Sequence, residues 1–253
     1  MRLVHSHNSV DRGSPDARAV CAGVYSEVRC VAGFGGDLVA TRRFSHGRLH
    51  VTLADVSGHD LDAARMAHQF HDVLESMDGR RWSHRGWLSA LNRQLCARFH
   101  ADHFGAVLSV AVQPATGGYL ASVANAAMPR PWIYRAACGV VERFGRRRDA
   151  APPLGVFDVD AWLPRPRRAW LAEGDLLVLM TDGAVEALAG PGGSDETVSS
   201  LIGIRAGLGG RRLRDALASG IQRGWATSDR KDDSSVVVIE ASCASRIVSA
   251  TAA

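Results

Sequence analysis

The sequence predicts a mixed fold of helices and strands, α/β (α+β), and three observations carry that prediction. Residues 38–44 and 49–54 are two strand-forming runs about Ser45-His46-Gly47-Arg48, a composition suited to a turn. From Leu61 the apolar period becomes three or four, with Ala63, Ala67, Phe70, Leu74 and Met77 on one stripe. Leu176 to Met180 is an unbroken apolar run, as in a strand buried on both faces.

Taken in order, residues 1–18 are polar and read as a mobile arm. Ala19 to Ala32 alternates (Val20, Ala22, Val24, then Val28, Cys30, Ala32) and reads as a strand leading to Gly35-Gly36. The hairpin follows, then a helix over Leu61–Met77 with Asp60 at its N-cap and Asp62 in its first turn, where the helix dipole favours an acid. A second helix, about His84 to Ala101, turns Leu88, Leu91, Leu95 and Phe99 inward, with Ser83 as its cap. Strands are expected at 106–112, 119–125, 132–135 and 140–144, the first two joined by Pro114-Ala115-Thr116-Gly117-Gly118. Ala151-Pro152-Pro153-Leu154-Gly155 is too stiff for regular structure and reads as a loop across a sheet edge. After the 176–180 strand, Gly190 to Ser194 reads as a loop, Leu213, Leu217, Ile221 and Trp225 mark a last helix, and Ser235 to Glu240 is the closing strand. No linker divides residues 19–241, which read as one domain followed by a frayed tail over 242–253.

Composition narrows the function. The chain has 253 residues, is 46% hydrophobic and 22% charged, and carries a net charge of +4, ordinary values for a globular protein that has no need of nucleic acid. Arg143, Arg146-Arg147-Arg148, Arg165, Arg167 and Arg168 lack interleaved aromatics and read as solvated loops. The five cysteines show no C-x-x-C spacing, which argues against a zinc ribbon or a disulfide framework and for a reducing compartment. With no apolar leader and no run of membrane-spanning length, a cytoplasmic protein without a membrane anchor is expected.

The hairpin carries the chemistry. With its turn centred on His46, Asp37 and Asp55 become cross-strand neighbours roughly 5 Å apart. Val39, Thr41 and Arg43 then share a face with Leu53, Val51 and Leu49, and both faces are most apolar beside the aspartates, so the acidic end points inward and the turn outward. Taken singly, Asp37 reads as a turn residue and Asp55 as a helix cap. Opposed, they raise each other's pKa unless a cation lies between them. Hard oxygen ligands suit Mg²⁺ or Mn²⁺ better than zinc. Two further acidic positions fall at strand ends, Thr181-Asp182-Gly183 and Asp232-Asp233-Ser234-Ser235. Each alone reads as a turn or solvated loop; if their strands are antiparallel neighbours, all these acids share one sheet edge.

In this order and setting, Gly35-Gly36-Asp37, Asp55-Val56-Ser57-Gly58, Pro152-Pro153-Leu154-Gly155, Gly174-Asp175 with its apolar strand and Thr181-Asp182-Gly183, and Asp232-Asp233-Ser234-Ser235 resemble the PP2C-type phosphatases of the SpoIIE and RsbU/RsbX group, over residues 20 to 240. The resemblance implies a sandwich of two antiparallel sheets flanked by helices. It also implies that Asp37, Asp55, the Val56 carbonyl, Asp182 and, of the final pair, Asp232 hold two Mn²⁺ or Mg²⁺ ions. The implied activity is that of a metal-dependent protein serine/threonine phosphatase acting on a phosphorylated regulator, such as an anti-sigma-factor antagonist or a stressosome-like protein. A catalytically silent module that docks a signalling partner is the alternative, and a two-metal phosphodiesterase a third. The chain departs from the family pattern at Asn125-Ala126-Ala127-Met128-Pro129, where Asn-Ala-Gly-His-Pro is common, and at His59-Asp60 after Gly58. Ser57 stands where the eukaryotic branch places a general-acid histidine.

Overall fold

The computed structural model describes residues 4–7, 22–31, 35–58, 61–77, 84–99, 103–146, 149, 151–190, 193–228 and 231–242. Its strands are β1 (Val4–His7), β2 (Gly23–Arg29), β3 (Asp37–Arg43), β4 (Leu49–Val56), β5 (Gly105–Ala115), β6 (Gly118–Ala126), β7 (Trp132–Arg135), β8 (Val140–Arg143), β9 (Arg167–Ala172), β10 (Leu176–Met180) and β11 (Ser234–Glu240). Its helices are α1 (Leu61–Ser76), α2 (His84–Arg98), α3 (Asp182–Ala189), α4 (Asp195–Ala206) and α5 (Gly210–Thr227). One sheet runs β1-β3-β4-β5-β6-β9 and the other β2-β11-β10-β7-β8; every pairing is antiparallel except that of β1 with β3.

The expected sandwich of two antiparallel sheets is therefore present, and strand periodicity explains its layers. Alternate residues of β10 face opposite ways: Leu177 and Leu179 pack between the sheets with Leu53, Val110, Val237 and Ile239. Leu176, Val178 and Met180 pack outward against Ile202, Leu213, Leu217 and Ile221 of α4 and α5. On the other side, Leu38, Ala54 and Val56 meet Phe70 of α1 and Leu91 of α2. Two helical layers thus cover the two sheets.

The hairpin has the expected register, from Asp37 opposite Asp55 to Arg43 opposite Leu49. Its turn is a 3₁₀ turn at Ser45–Gly47, with His46 in the left-handed region at φ 58°. Ser45 and His46 are exposed, but the strand beside them is not: Leu49 and His50 are buried, and Arg42 donates to the Leu74 and Met77 carbonyls at the end of α1. The β5–β6 turn is tighter than expected, two residues at Thr116-Gly117.

Four elements go beyond the sequence reading. Within the expected arm, Val4–His7 pairs with β3; the remainder of the arm, the tail from 243, and the expected caps Asp60 and Ser83 lie outside the described residues. Arg167 and Arg168 open a strand rather than a solvated loop, because Ala169 and Leu171 alternate inward while the arginines face water. Arg143 is likewise no loop residue: its guanidinium stacks 3.7 Å above the Trp132 ring and pairs with Asp195. Helix α3 buries Ala184 and Leu188, four residues apart, and ends at Gly190 with φ 71°. Helix α4 begins with a capping box between Ser194 and Thr197 and buries Val198, Ile202 and Ala206. No helix among the described residues is long and apolar enough to cross a membrane.

Candidate active site

Four strand ends meet at one edge of the sandwich: the start of β3, the end of β4, the end of β10 and the start of β11. The hairpin brings Asp37 and Asp55 opposite each other. In the second sheet, Met180 of β10 pairs with Val236 of β11, so Thr181-Asp182 and Asp232-Asp233 leave their strands at the same edge. Thr181 ties the two sheets together there. Its hydroxyl donates to Asp37 Oδ2 at 3.0 Å and accepts the Ser235 N–H at 2.9 Å, while its own N–H donates to the Ser235 carbonyl at 3.1 Å.

Glycine permits the close approach. A Cβ on Gly36 would stand 2.3 Å from the Val56 carbonyl oxygen, and one on Gly35 would stand 1.7 Å from Asp233 Oδ2. On Gly183, it would stand 2.2 Å from the Asp233 carbonyl oxygen and 3.0 Å from the Asp232 Cβ. The Gly-Gly-Asp and Thr-Asp-Gly patterns are thus steric requirements of this edge: any side chain would push Asp232-Asp233 or the Val56 carbonyl away.

The acids differ in setting. Asp37 is buried, and its Oδ1 has no hydrogen-bond partner among the described residues. Burial first, then Asp55, then Asp233 push the Asp37 carboxyl well above its ordinary range. Asp55 is half-buried and is raised to about 7, by burial first and then by Asp182, Asp232 and Asp233. Asp182 and Asp232 are exposed, each accepting the N–H of the next residue, Gly183 at 2.9 Å and Asp233 at 2.8 Å. Among the described residues, none of Asp37, Asp55, Asp182 and Asp232 makes an ion pair with an arginine, lysine or histidine.

Asp233 has a different task. It is buried, its Oδ1 accepting the Val31 N–H at 3.0 Å and its Oδ2 the Gly36 N–H at 2.9 Å. Gly36 in turn accepts the Val56 N–H at 3.1 Å. Asp233 therefore ties Val31 and Gly36 to a turn near the far end of the sequence.

This set fits a hard divalent cation by its chemistry. The donors are all oxygen, one buried carboxylate oxygen is orphaned among the described residues, and the acids raise one another's pKa with no ion pair among those residues to offset them. No three His, Cys, Asp or Glu side chains among the described residues converge closely enough to hold one ion unaided. An ion here would complete its shell with the Val56 carbonyl and water, as Mg²⁺-like ions commonly do.

The other predicted positions are structural. Asp175 is buried and locks a strand junction, accepting from Arg135, the Ala136 N–H and the Ala172 N–H. Ser57 closes the β4–β5 end, its N–H donating to the Phe104 carbonyl at 2.9 Å and its hydroxyl accepting the Phe104 N–H at 3.0 Å. Asn125 brackets a tight turn, bonding the Met128 N–H and carbonyl at 2.9 Å each, and Ala127 inside that turn has φ 62°. Leu154 of the Pro-Pro-Leu-Gly stretch bridges Gly105 at the same edge. His59 lies outside the described residues.

The architecture is that of the PP2C phosphatases. The PP2C phosphatase domain of the cell fate determinant SpoIIE from Bacillus subtilis matches with a TM-score of 0.69 at 16% identity, over 90% of this chain and 65% of that one. The RsbU and RsbW domains of a Mycobacterium tuberculosis protein match at 0.70 and 20% identity, over 89% and 61%. The catalytic domain of the serine/threonine phosphatase PstP, solved with two manganese ions, matches at 0.60 and 15%, over 88% and 98%. This chain thus spans less than two thirds of the first two structures. No curated protein matches it by sequence. Residues 45–242 match the family model of Stage II sporulation protein E (SpoIIE), and the chain belongs to that family.

Proposed function

We propose that the chain is a metal-dependent protein serine/threonine phosphatase that uses Asp37, Asp55, Asp182, Asp232 and the Val56 carbonyl to hold two Mn²⁺ or Mg²⁺ ions. The observation that carries this reading is the meeting of carboxylates from both sheets at one edge, mutually repelling and in no ion pair among the described residues. Two divalent ions bound there would supply an activated water and offset charge on a phosphoryl group in an in-line displacement. The protein's own part is positional. Thr181 fixes the Asp37 carboxylate, the antiparallel register fixes Asp55 opposite it, and Gly36 and Gly183 leave room for the Val56 carbonyl and the Asp232 side chain. Asp232 fits the ligand role better than Asp233, which already accepts two backbone N–H groups.

The substrate in this reading is a phosphoserine or phosphothreonine on a bacterial partner-switching or stress-response regulator. Its support is membership of the SpoIIE family together with the fold shared with RsbU and RsbW domains and with a phosphatase bound to two manganese ions. The test is hydrolysis of a chromogenic aryl phosphate with Mn²⁺, Mg²⁺ or EDTA. Turnover that requires the metal, and that falls at least about a hundredfold in Asp55→Ala and Asp182→Ala, is the expected result. Metal-independent binding of a regulator with no turnover would leave a silent docking module instead.

A further inference from the structure

We infer that a basic groove near the β6–β9 side of the first sheet docks an acidic segment of the protein substrate; this rests on the phosphatase reading above. Arg130, Arg146, Arg165 and Arg167 border two adjoining hollows that share Asp149, Arg165 and Arg167, the larger of about 540 Å³ and lined also by Trp162. Among the described residues that line the two hollows, four are arginines and one, Asp149, is an acid. Asp149 pairs with Arg167 at 2.7 Å and accepts the Arg146 backbone N–H at 2.8 Å. Arg130 donates to the Gly145 carbonyl at 3.0 Å. Arg146 and Arg165 are exposed and make no ion pair among the described residues. Guanidinium forks match carboxylates in a planar, bidentate way, so the surplus of positive charge selects an acidic ligand. Trp162 is half exposed and stands edge-on to Phe157 at 4.5 Å, offering an apolar stop beside the charges.

The sheet register sets the distance to the carboxylates. Asp55 pairs with Ala106, Val107 with Ala126, and Val123 with Arg167, so the groove lies three strands away and a few residues down. At about 4.8 Å per strand and 3.3 Å per residue, Arg165 and Arg167 stand roughly 15–20 Å from Asp55. That span corresponds to about five residues of extended chain. It also exceeds the Debye length of about 8 Å at physiological salt, so the acidic edge does not cancel the basic groove. A substrate segment with its phosphorylated residue at the carboxylates would place residues four to six positions away among the arginines. Those positions are expected to be Asp or Glu.

The test uses fluorescein-labelled peptides with Glu or with Ala four to six residues from a serine, phosphorylated for turnover and unphosphorylated for anisotropy. Wild type should bind the acidic peptide at least tenfold more tightly, with the difference in KM rather than kcat and shrinking at high salt. Arg146→Glu/Arg165→Glu should lose that preference and prefer a Lys peptide, whereas Arg212→Glu on α5 should keep it. Aryl phosphate turnover of each variant checks the carboxylate edge. Equal affinity of wild type for acidic and alanine peptides would overturn the proposal, as would preference retained in the double variant or tighter binding of a single-stranded oligonucleotide that displaces the peptide. Preference for the acidic peptide without any turnover would keep the groove and overturn the phosphatase reading alone.

Discussion

Asp232 and Asp233 are adjacent and chemically identical, yet one is exposed at the acidic edge and the other is buried under two backbone N–H donors. Their alanine variants should therefore fail in opposite ways. Asp232→Ala is expected to keep its thermal midpoint and lose Mn²⁺ affinity by calorimetry. Asp233→Ala, which leaves the Val31 and Gly36 N–H groups unpaired, is expected to lose about 2–4 kcal/mol by urea unfolding. Similar destabilisation in both would refute the division of labour. Ala127 offers a gain instead. Its φ of 62° is costly for a residue with a Cβ, and its N–H to the Ala151 carbonyl at 2.9 Å fixes it there. Ala127→Gly, which restores the residue common in this family, should add about 1 kcal/mol, a rise of roughly 2–4 °C in Tm.

At the scale of elements, α2 is fastened to its sheet by a buried polar chain. His50 of β4 and His84 of α2 both bond the Ser109 hydroxyl of β5 at 2.8 Å, and His84 also bonds the Ser122 hydroxyl of β6 at 2.9 Å. Burial drives the His84 pKa down to about 4, and burial, aided by His84 and Arg42, takes His50 well below its usual value. Because the folded value lies below the unfolded one, the unfolded chain binds the extra proton, so this contribution to stability is complete above pH 6.5 and declines as pH falls toward 4. An NMR titration should find His84 still neutral at pH 5; a midpoint near 6.5 would show the helix seated otherwise. Elements also show where pattern reading falls short. The alternation of Ala169 and Leu171 marked β9, but arginines at its start and an exposed Trp170 masked it. The Ser194 capping box and the Val198–Ile202–Ala206 spacing marked α4. Helix α3 is only eight residues long, a length at which turn and helix patterns are hard to separate.

For the whole molecule, the carboxylate edge is a point of stored repulsion between the two sheets. Divalent cations should therefore stabilise the fold: at a hundredfold excess over Kd, Mn²⁺ contributes about 2.7 kcal/mol. That corresponds to a Tm rise of roughly 5–10 °C by calorimetry, reversed by EDTA and lost in Asp55→Ala. On the metal-binding reading proposed above, the proton on Asp55 would compete with the cation. With its folded pKa raised to about 7 from 3.8, the metal-free edge is least strained at low pH and loses stability as pH rises through that window, so the Mn²⁺ effect should be larger at pH 7.5 than at pH 5.5. An equal effect at both would show that the ion binds elsewhere.

The sequence by itself determined what depends on local order. The equal spacing of Asp37 and Asp55 about His46 set the hairpin register, and the unbroken 176–180 run marked a strand with two buried faces. Only the tertiary structure shows that Asp233 is buried under two backbone N–H groups while Asp232 is exposed, since that turns on donors 197 and 202 residues away. It alone drew the arginines of three separate turns and strands around one groove. The reason is physical: alternation and turn chemistry are written in neighbouring residues, whereas burial, hydrogen-bond partners and the field at a carboxylate are set by whatever the fold brings beside it.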